Sequence, residues 1–121
     1  LMLQGKAPVI FGDGLQTRDY VYVENVVNAN LLAAEGDAAK VAGQVFNVGC
    51  GESITLIQLA AELNKQTGQQ LAPIHQPPRT GDIKHSAADI SAARAGLNYS
   101  PNVTWQKGLE HTLAFYRAGN K

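Results

Sequence analysis

The chain has 121 residues, of which 45% are hydrophobic and 17% charged, and ten basic and ten acidic side chains give a formal net charge of zero. This composition excludes a disordered chain, because burying so much apolar surface offsets the entropy of ordering. It also argues against nucleic acid and membrane partners, since the sequence has neither a Lys/Arg stripe nor an apolar run of about 20 residues. The single cysteine, Cys50, excludes an internal disulfide and favours a reducing, cytoplasmic location.

The first third of the chain predicts two strands and a helix. Residues 1–5 resemble the last turn of a helix that ends at a glycine, which suggests an N-terminal truncation. Pro8–Phe11 is a short apolar strand, and a turn with two glycines separates it from the β-branched and aromatic run Arg18–Val23. The two runs lie close enough in sequence to predict a hairpin. Glu24–Glu35 then has apolar residues at helical spacing.

The rest of the chain alternates partly between strand and helix signals, which predicts an α/β fold in a single domain over residues 1–121. A Thr55 and Gln58 pair has the spacing of a capping box at the start of a helix. The predicted elements are a buried strand over Gly43–Gly49, a helix from Thr55 to Thr67, a strand over Leu71–His75, an extended loop over Pro78–Ala88, a helix over Ile90–Ala95 capped by Asp89 and closed by Gly96, and a helix from Thr104.

Four segments carry a resemblance to a known family. They are Gly12–Asn25 (GDGLQTRDYVYVEN), Phe46–Gly51 (FNVGCG), Pro78–Ser91 (PRTGDIKHSAADIS) and Leu97–Tyr116. In this order they resemble segments of the extended short-chain dehydrogenase/reductase family, which includes nucleotide-sugar epimerases and dehydratases, and UDP-hexose 4-epimerases most of all. The resemblance implies the C-terminal substrate-binding lobe of such an enzyme. Its strands would join the edge of a Rossmann sheet whose core is absent from this sequence.

Candidate ligand contacts follow from the chemistry of a nucleoside diphosphate. Its charges are best met by arginine, whose planar fork donates two parallel hydrogen bonds to phosphate oxygens, and Arg18 and Arg79 are the candidates. A carboxylate at Asp82 could accept hydrogen bonds from ribose hydroxyls. The resemblance implies the same roles for these three residues, and it adds backbone groups at Val9 and Phe11 that hold the uracil edge.

A sixth candidate, Ser86, comes from the resemblance alone. The position seven residues after the loop arginine lines the hexose pocket in the resembled 4-epimerases, where a bulky tyrosine goes with plain hexoses and a small residue with N-acetylated sugars. Serine here implies a parent enzyme that takes UDP-N-acetylhexosamines. The structural alternative is that Ser86 merely begins the turn before the next helix.

The other candidates also have structural alternatives. Arg18 could form a solvated charge pair with Asp19, which would contribute less than ~1 kcal/mol, and Arg79 and Asp82 could pair across a turn. Cys50, between two glycines, is interpreted as a small buried residue rather than a nucleophile. The three histidines are too scattered in sequence for a metal site.

The sequence has neither the cofactor-binding nor the catalytic signature of the resembled family. A dinucleotide fingerprint begun by Gly49 and Gly51 would need a third glycine where Ile54 stands. The Tyr-x-x-x-Lys pair is absent from the sequence as well. NAD is therefore expected as cofactor of full-length relatives and not of this chain alone. The expected partners are a UDP-sugar and a second copy of the chain, and the rival interpretation is a free-standing interaction module that self-associates through an exposed sheet edge.

Overall fold

A computed structural model describes residues 1–119 and shows a small α/β fold. Two two-stranded sheets and the helices around them alternate along the chain, which confirms the predicted fold class. The strands are β1 (Val9–Phe11), β2 (Thr17–Arg18), β3 (Ile54–Thr55) and β4 (Ile74–Gln76), and the helices are α1 (Val23–Glu35), α2 (Ala38–Val41), α3 (Leu56–Thr67), α4 (Ser91–Leu97) and α5 (Trp105–Arg117), after a short 3₁₀ turn at Met2–Gln4.

The predicted hairpin is wrong, because β1 and β2 belong to different sheets. β1 pairs in parallel with β4, so that Ile10 lies opposite His75, and β2 pairs antiparallel with β3. The second strand is also much shorter than Arg18–Val23, since it stops at Arg18 and α1 begins at Val23. The carboxylate of Asp19 accepts the backbone N–H groups of Cys50 and Gly51 at 2.9 Å, which fixes the chain in a turn immediately after β2.

Gly43–Gly49 is not a strand, although its composition predicts one. Residues 44–48 form no ladder with any other segment of residues 1–119, and a strand is defined by hydrogen bonds to a neighbour. Phe46 and Val48 pack against the core, whereas Val45 is 89% exposed. The segment expected at Leu71–His75 does pair, but only from Ile74 onward.

The helix signals are more accurate than the strand signals. Thr55 and Gln58 form the predicted capping box at α3, and the Thr104 side chain accepts the N–H of Lys107 at the start of α5. Asp89 accepts the N–H of Ser91 in the first turn of α4. Gly96 does not close α4 as predicted; it lies inside the helix, which ends before Asn98. A Cβ on Gly96 would lie 2.7 Å from the Phe46 ring, so glycine is required there for packing.

The core lies between α1, α4 and the segment after α4. Its most buried members are Ala29, Ile90, Ala93, Leu97 and Tyr99. Two polar groups tie this region together: the Tyr99 hydroxyl donates to the carbonyl of Gly49 at 2.9 Å, and Asn25, 1% exposed, holds the loop before α5. None of the helices within residues 1–119 is long and apolar enough to cross a membrane.

Candidate functional site

A cleft lies where β1 and β4 end and the loop from residue 78 passes over them. It has a volume of about 600 Å³ and is open to solvent on one side. Parallel strands end at the same edge of their sheet, so the turn after β1 and the loop after β4 meet there. The lining residues are Phe11, Gly12, Asp13, Gln16, His75, Gln76, Pro78, Arg79, Asp82 and Lys84.

Arg79 and Phe11 stack against each other inside this cleft. The guanidinium carbon of Arg79 lies 3.9 Å from the centre of the Phe11 ring, which is the geometry of a cation–π contact. The contact uses the flat face of the guanidinium. The N–H groups in its plane make no hydrogen bond to other residues of 1–119, so they can donate to an anion.

Asp82 connects Arg18 to the same cleft. Nη2 of Arg18 lies 2.7 Å from Oδ1 of Asp82, and Nη1 of Arg18 donates to the carbonyl of Thr17. The ion pair is partly exposed, so it stabilises the fold by no more than about 1 kcal/mol. Arg18 pairs with Asp82 rather than with Asp19, so the first structural alternative is wrong. Arg79 and Asp82 are joined across the turn by their backbones, since the N–H of Asp82 donates to the carbonyl of Arg79 at 3.2 Å, but the Asp82 side chain pairs with Arg18.

Ser86 lies beside the cleft rather than in it. It lines a second cavity of about 300 Å³ together with Arg18, Asn47 and Gly49. Its backbone N–H donates to the carbonyl of Thr17 at 3.1 Å, which ties the segment before α4 to β2. Arg18 therefore stands between the two cavities, since it lines the second and its ion partner lines the first.

The backbone of β1 presents one edge to β4 and leaves the other edge free. The carbonyl of Pro8 accepts the N–H of Ile74, and the N–H of Gly12 donates to Gln76, so alternate residues of β1 face β4. The N–H and C=O groups of Val9 and Phe11 consequently point to the opposite edge. Val9 does not line the cleft, so a ligand contact through its backbone stays a prediction.

The charges around the cleft favour an anion slightly. Arg18, Arg79 and Lys84 supply three positive charges and Asp13 and Asp82 two negative ones, so the formal balance is 3 − 2 = +1. The N–H of Leu15 donates to Asp13 and holds the pKa of this carboxyl below its usual value, with Lys84 at 3.7 Å as a smaller contribution. Asp13 therefore stays ionised, and its negative charge partly offsets the positive charge of Lys84.

Several residues of the cleft were not identified from the sequence. His75 comes to the cleft through the β1–β4 pairing, and Lys84 comes there because its carbonyl accepts the N–H of Thr17 in β2. Both contacts link segments far apart in the chain. His75 Nδ1 lies 2.7 Å from the carbonyl of Gly12, an acceptor, so this nitrogen carries the proton. Asp13 and Gln16 lie in the first resembling segment, close in sequence to Arg18. This closeness to a candidate ligand contact is the sequence feature that could have indicated them.

Comparisons with known proteins agree with this architecture. The model of the NAD dependent epimerase/dehydratase family matches residues 1–49. A UDP-glucose 4-epimerase of Mycolicibacterium smegmatis is 39% identical over 96% of this chain, which spans 36% of that relative. The crystal structure of UDP-glucose 4-epimerase with UDP-glucose from Thermotoga maritima superposes with a TM-score of 0.90 at 41% identity, over 99% of this chain and 38% of that one. A UDP-N-acetylglucosamine 4-epimerase from Methanobrevibacter ruminantium superposes with a TM-score of 0.87 at 34% identity, over 98% and 37%.

The fold and the order of the motifs define a lobe of the extended short-chain dehydrogenase/reductase type. The chain belongs to the NAD-dependent epimerase/dehydratase family, as the four segments predicted. It spans a little over one third of the length of the relatives that it matches. Related full-length epimerases bind NAD, among them the UDP-glucuronic acid 4-epimerase of Bacillus cereus, whose structure holds this cofactor.

Proposed function

We propose that this chain is the nucleotide-sugar-binding portion of an NAD-dependent sugar epimerase or dehydratase, with a UDP-sugar as ligand. One observation carries the proposal: Phe11, Arg79 and Asp82 line a single cleft, and Arg18, the ion partner of Asp82, lines the adjoining cavity. The free edge of β1 runs from Phe11 back to Val9. These groups are the ones that a base, a diphosphate and a ribose require.

The ligand would lie along the cleft from β1 toward Arg18. The base would meet the free edge of β1, where backbone groups offer both a donor and an acceptor. The diphosphate would accept hydrogen bonds from Arg79 and Arg18. The second carboxylate oxygen of Asp82, which the ion pair with Arg18 does not use, would accept from the ribose hydroxyls. This handle lies away from the reacting carbon, so it positions the sugar rather than reacting with it.

Calorimetry of the 121-residue protein with UDP and with uridine tests the proposal. We expect UDP to bind at least about tenfold more tightly than uridine, because each charge-assisted hydrogen bond to phosphate contributes about 1.5–3 kcal/mol. Equal affinities would contradict an arginine-lined diphosphate site. Absence of UDP binding at millimolar concentration would contradict the whole proposal.

The chemistry itself requires residues that this sequence does not contain. We expect the 121-residue protein by itself neither to bind NAD nor to turn over UDP-glucose, because no glycine fingerprint and no Tyr-x-x-x-Lys pair are present in it. NAD binding tighter than about 100 μM, a moderate affinity, would contradict this expectation. A cytoplasmic location, favoured by the lone Cys50, belongs to the same proposal.

The sugar proposed for the full-length parent is a UDP-N-acetylhexosamine, because Ser86 leaves open the cavity beside Arg18. An acetamido group has about four heavy atoms where a hydroxyl has one, and a rigid pocket filled by tyrosine would exclude it. Ser86→Tyr should therefore weaken UDP-N-acetylglucosamine binding at least about tenfold and leave UDP-glucose within about twofold. Ser53→Tyr, outside this cavity, is the matched control. Equal loss of both sugars would show that Ser86 does not select between them.

A second candidate function is self-association, which the exposed segment 44–48 favours. This segment forms no ladder within residues 1–119 and carries Val45 at 89% exposure. An unpaired segment of this kind pairs readily with a copy of itself. Sedimentation should then show a dimer that Val45→Lys dissociates. A monomer of 12.9 kDa at high concentration would contradict this candidate.

A further inference from the structure

The backbone and the ring of Phe11 lie in different surroundings. The backbone runs along the free edge of β1, whereas the ring stands on the face of the sheet opposite to the buried Ile10, because neighbouring side chains of a strand alternate between the two faces. Phe11 is half-buried and lines the cleft. The ligand contacts proposed above use the backbone of Phe11 and leave its ring without a role.

The ring of Phe11 contacts the guanidinium of Arg79. Phe11 lies opposite Gln76 in the β1–β4 ladder, and the loop that carries Arg79 begins directly after Gln76. The loop starts with Pro77 and Pro78, whose rings restrict its backbone angles. It brings the guanidinium carbon of Arg79 to 3.9 Å from the centre of the Phe11 ring, which is a cation–π contact.

No polar contact within residues 1–119 competes with the ring for the Arg79 side chain. Arg79 is exposed, and its side chain makes neither a hydrogen bond nor an ion pair with these residues. The carboxylate of Asp82, which lines the same cleft, pairs with Arg18 instead. An exposed arginine without the ring would sample many rotamers, and fixing such a side chain when a ligand binds costs affinity.

An aromatic ring is well suited to hold an arginine that has to bind an anion. A carboxylate partner would occupy N–H donors of the guanidinium and offset its positive charge. A ring contacts the flat face of the guanidinium and leaves the N–H groups in its plane free. The stack of Phe11 on Arg79 therefore restricts the plane of the guanidinium without using its donors. A guanidinium in a fixed plane can donate two parallel hydrogen bonds to phosphate oxygens.

We infer that the ring of Phe11 is a positioning group for the diphosphate: it orients Arg79 before the ligand arrives and thereby raises the affinity for the phosphates. This inference rests on the proposed nucleotide-sugar function of the cleft. The ring acts through Arg79, so Phe11 is a positioning residue and not a catalytic one.

Inorganic pyrophosphate tests the ring separately from base contacts, because it offers phosphates and has no base. In calorimetry of the 121-residue protein, Phe11→Leu should weaken pyrophosphate and UDP by the same factor, about three- to tenfold, the equivalent of immobilising one long side chain on binding. Phe11→Tyr keeps a ring and should stay within about twofold of the wild type. Phe115→Leu, the same substitution on α5 and outside the cleft, is the matched control and should change neither affinity.

A double-variant cycle asks whether the ring acts through Arg79. In the Arg79→Gln protein the ring has no cation to orient, so adding Phe11→Leu should weaken UDP by less than about twofold. Fully additive losses would show that the ring contributes independently of the arginine, which would overturn the inference. A loss of UDP affinity that pyrophosphate does not share would also overturn it, because the ring would then act on the base.

NMR of the wild type gives a test that does not depend on how the variants fold. A proton held over an aromatic face resonates upfield, so side-chain protons of Arg79 should be shifted upfield relative to those of Arg94, which lies outside the cleft on α4. The shift should persist at saturating pyrophosphate. Its loss on titration, or a wild type that binds UDP but not pyrophosphate, would overturn the inference about Phe11. Failure of the wild type to bind UDP would instead overturn the proposed function.

Discussion

Two groups of polar residues in this molecule use their hydrogen-bonding capacity in opposite ways. Around the core, Asn25, Asp19 and Tyr99 direct their polar atoms to backbone groups of other segments. Around the cleft, Arg79 leaves its donors free and Asp82 leaves one oxygen free. The core residues fix where segments lie relative to one another, and the cleft residues are available to a ligand.

This difference distinguishes the residues that stabilise the fold from the residues that are available to bind a ligand. A buried polar group with satisfied partners leaves those partners unpaired when it is removed, so its loss destabilises the protein. An exposed group with free donors has no partner to leave behind, so its loss affects only ligands. Each of the following variants tests whether the two groups are as separate as the geometry indicates.

Asn25→Ala should give the largest effect, about 3 kcal/mol of lost unfolding free energy. Nδ2 of Asn25 donates to the carbonyl of Val103 at 2.7 Å, and Oδ1 accepts the N–H groups of Asn102 and Val103 at 2.9 and 3.0 Å. Urea denaturation measures the loss. Asn30→Ala, on the exposed face of the same helix, is the control and should cost well under ~1 kcal/mol. Similar losses in both variants would contradict a special role of the buried amide.

Arg79→Gln should have the second largest effect, and it should weaken ligand binding without changing stability. We expect UDP affinity to drop by about 10- to 100-fold, which corresponds to about 1.4–2.8 kcal/mol. The unfolding free energy should change by less than about 0.5 kcal/mol, because the Arg79 side chain stacks on Phe11 and makes no hydrogen bond or ion pair within residues 1–119. Arg94→Gln, outside the cleft on α4, is the matched control for charge. A loss of stability without a loss of affinity would place Arg79 in the structural group.

Tyr99→Phe should destabilise the fold by about 1–2 kcal/mol, because the buried carbonyl of Gly49 then loses its donor. The ring itself stays in place and keeps its contacts in the core. Tyr116→Phe, at 56% exposure, should be nearly neutral. Thermal unfolding of the two variants side by side measures the difference. Equal midpoints would mean that the Tyr99 hydroxyl does not stabilise the turn that precedes α3.

The sequence predicted the helices better than the strands for a physical reason. A helix is stabilised by contacts within one segment, so the Thr55–Gln58 capping box and the Thr104 cap were visible locally. A strand needs a partner that the local sequence does not name, which is why the β1–β4 pairing was missed and residues 44–48 were assigned to a strand.

In the candidate site, too, local sequence features were predictable and contacts between distant segments were not. The residues taken from the resembling segments, such as Arg79 and Asp82, do line the cleft, and their ligand roles remain predictions. His75 could not be found without the β1–β4 pairing, nor Lys84 without the hydrogen bond between its carbonyl and Thr17. The sequence does not show that Gln16 donates to the carbonyl of Phe11, because this contact depends on how the turn after β1 folds.

Asp89→Asn should have the smallest effect, and one that appears only in acid. Asp89 accepts the N–H of Ser91, and the hydrogen bonds from Ser91 lower the pKa of this carboxyl. A carboxyl whose pKa is lower in the folded state stabilises it above the unfolded value near 3.8, and the contribution is lost as pH falls through the lowered folded value. Asparagine accepts the same N–H at every pH, since both residues suit the start of a helix. The stability difference between wild type and variant, from urea titrations between pH 7 and pH 2.5, should therefore be constant above about pH 5 and shift against the wild type in acid. Curves that stay parallel down to pH 2.5 would show that the ionised carboxylate of Asp89 does not stabilise α4.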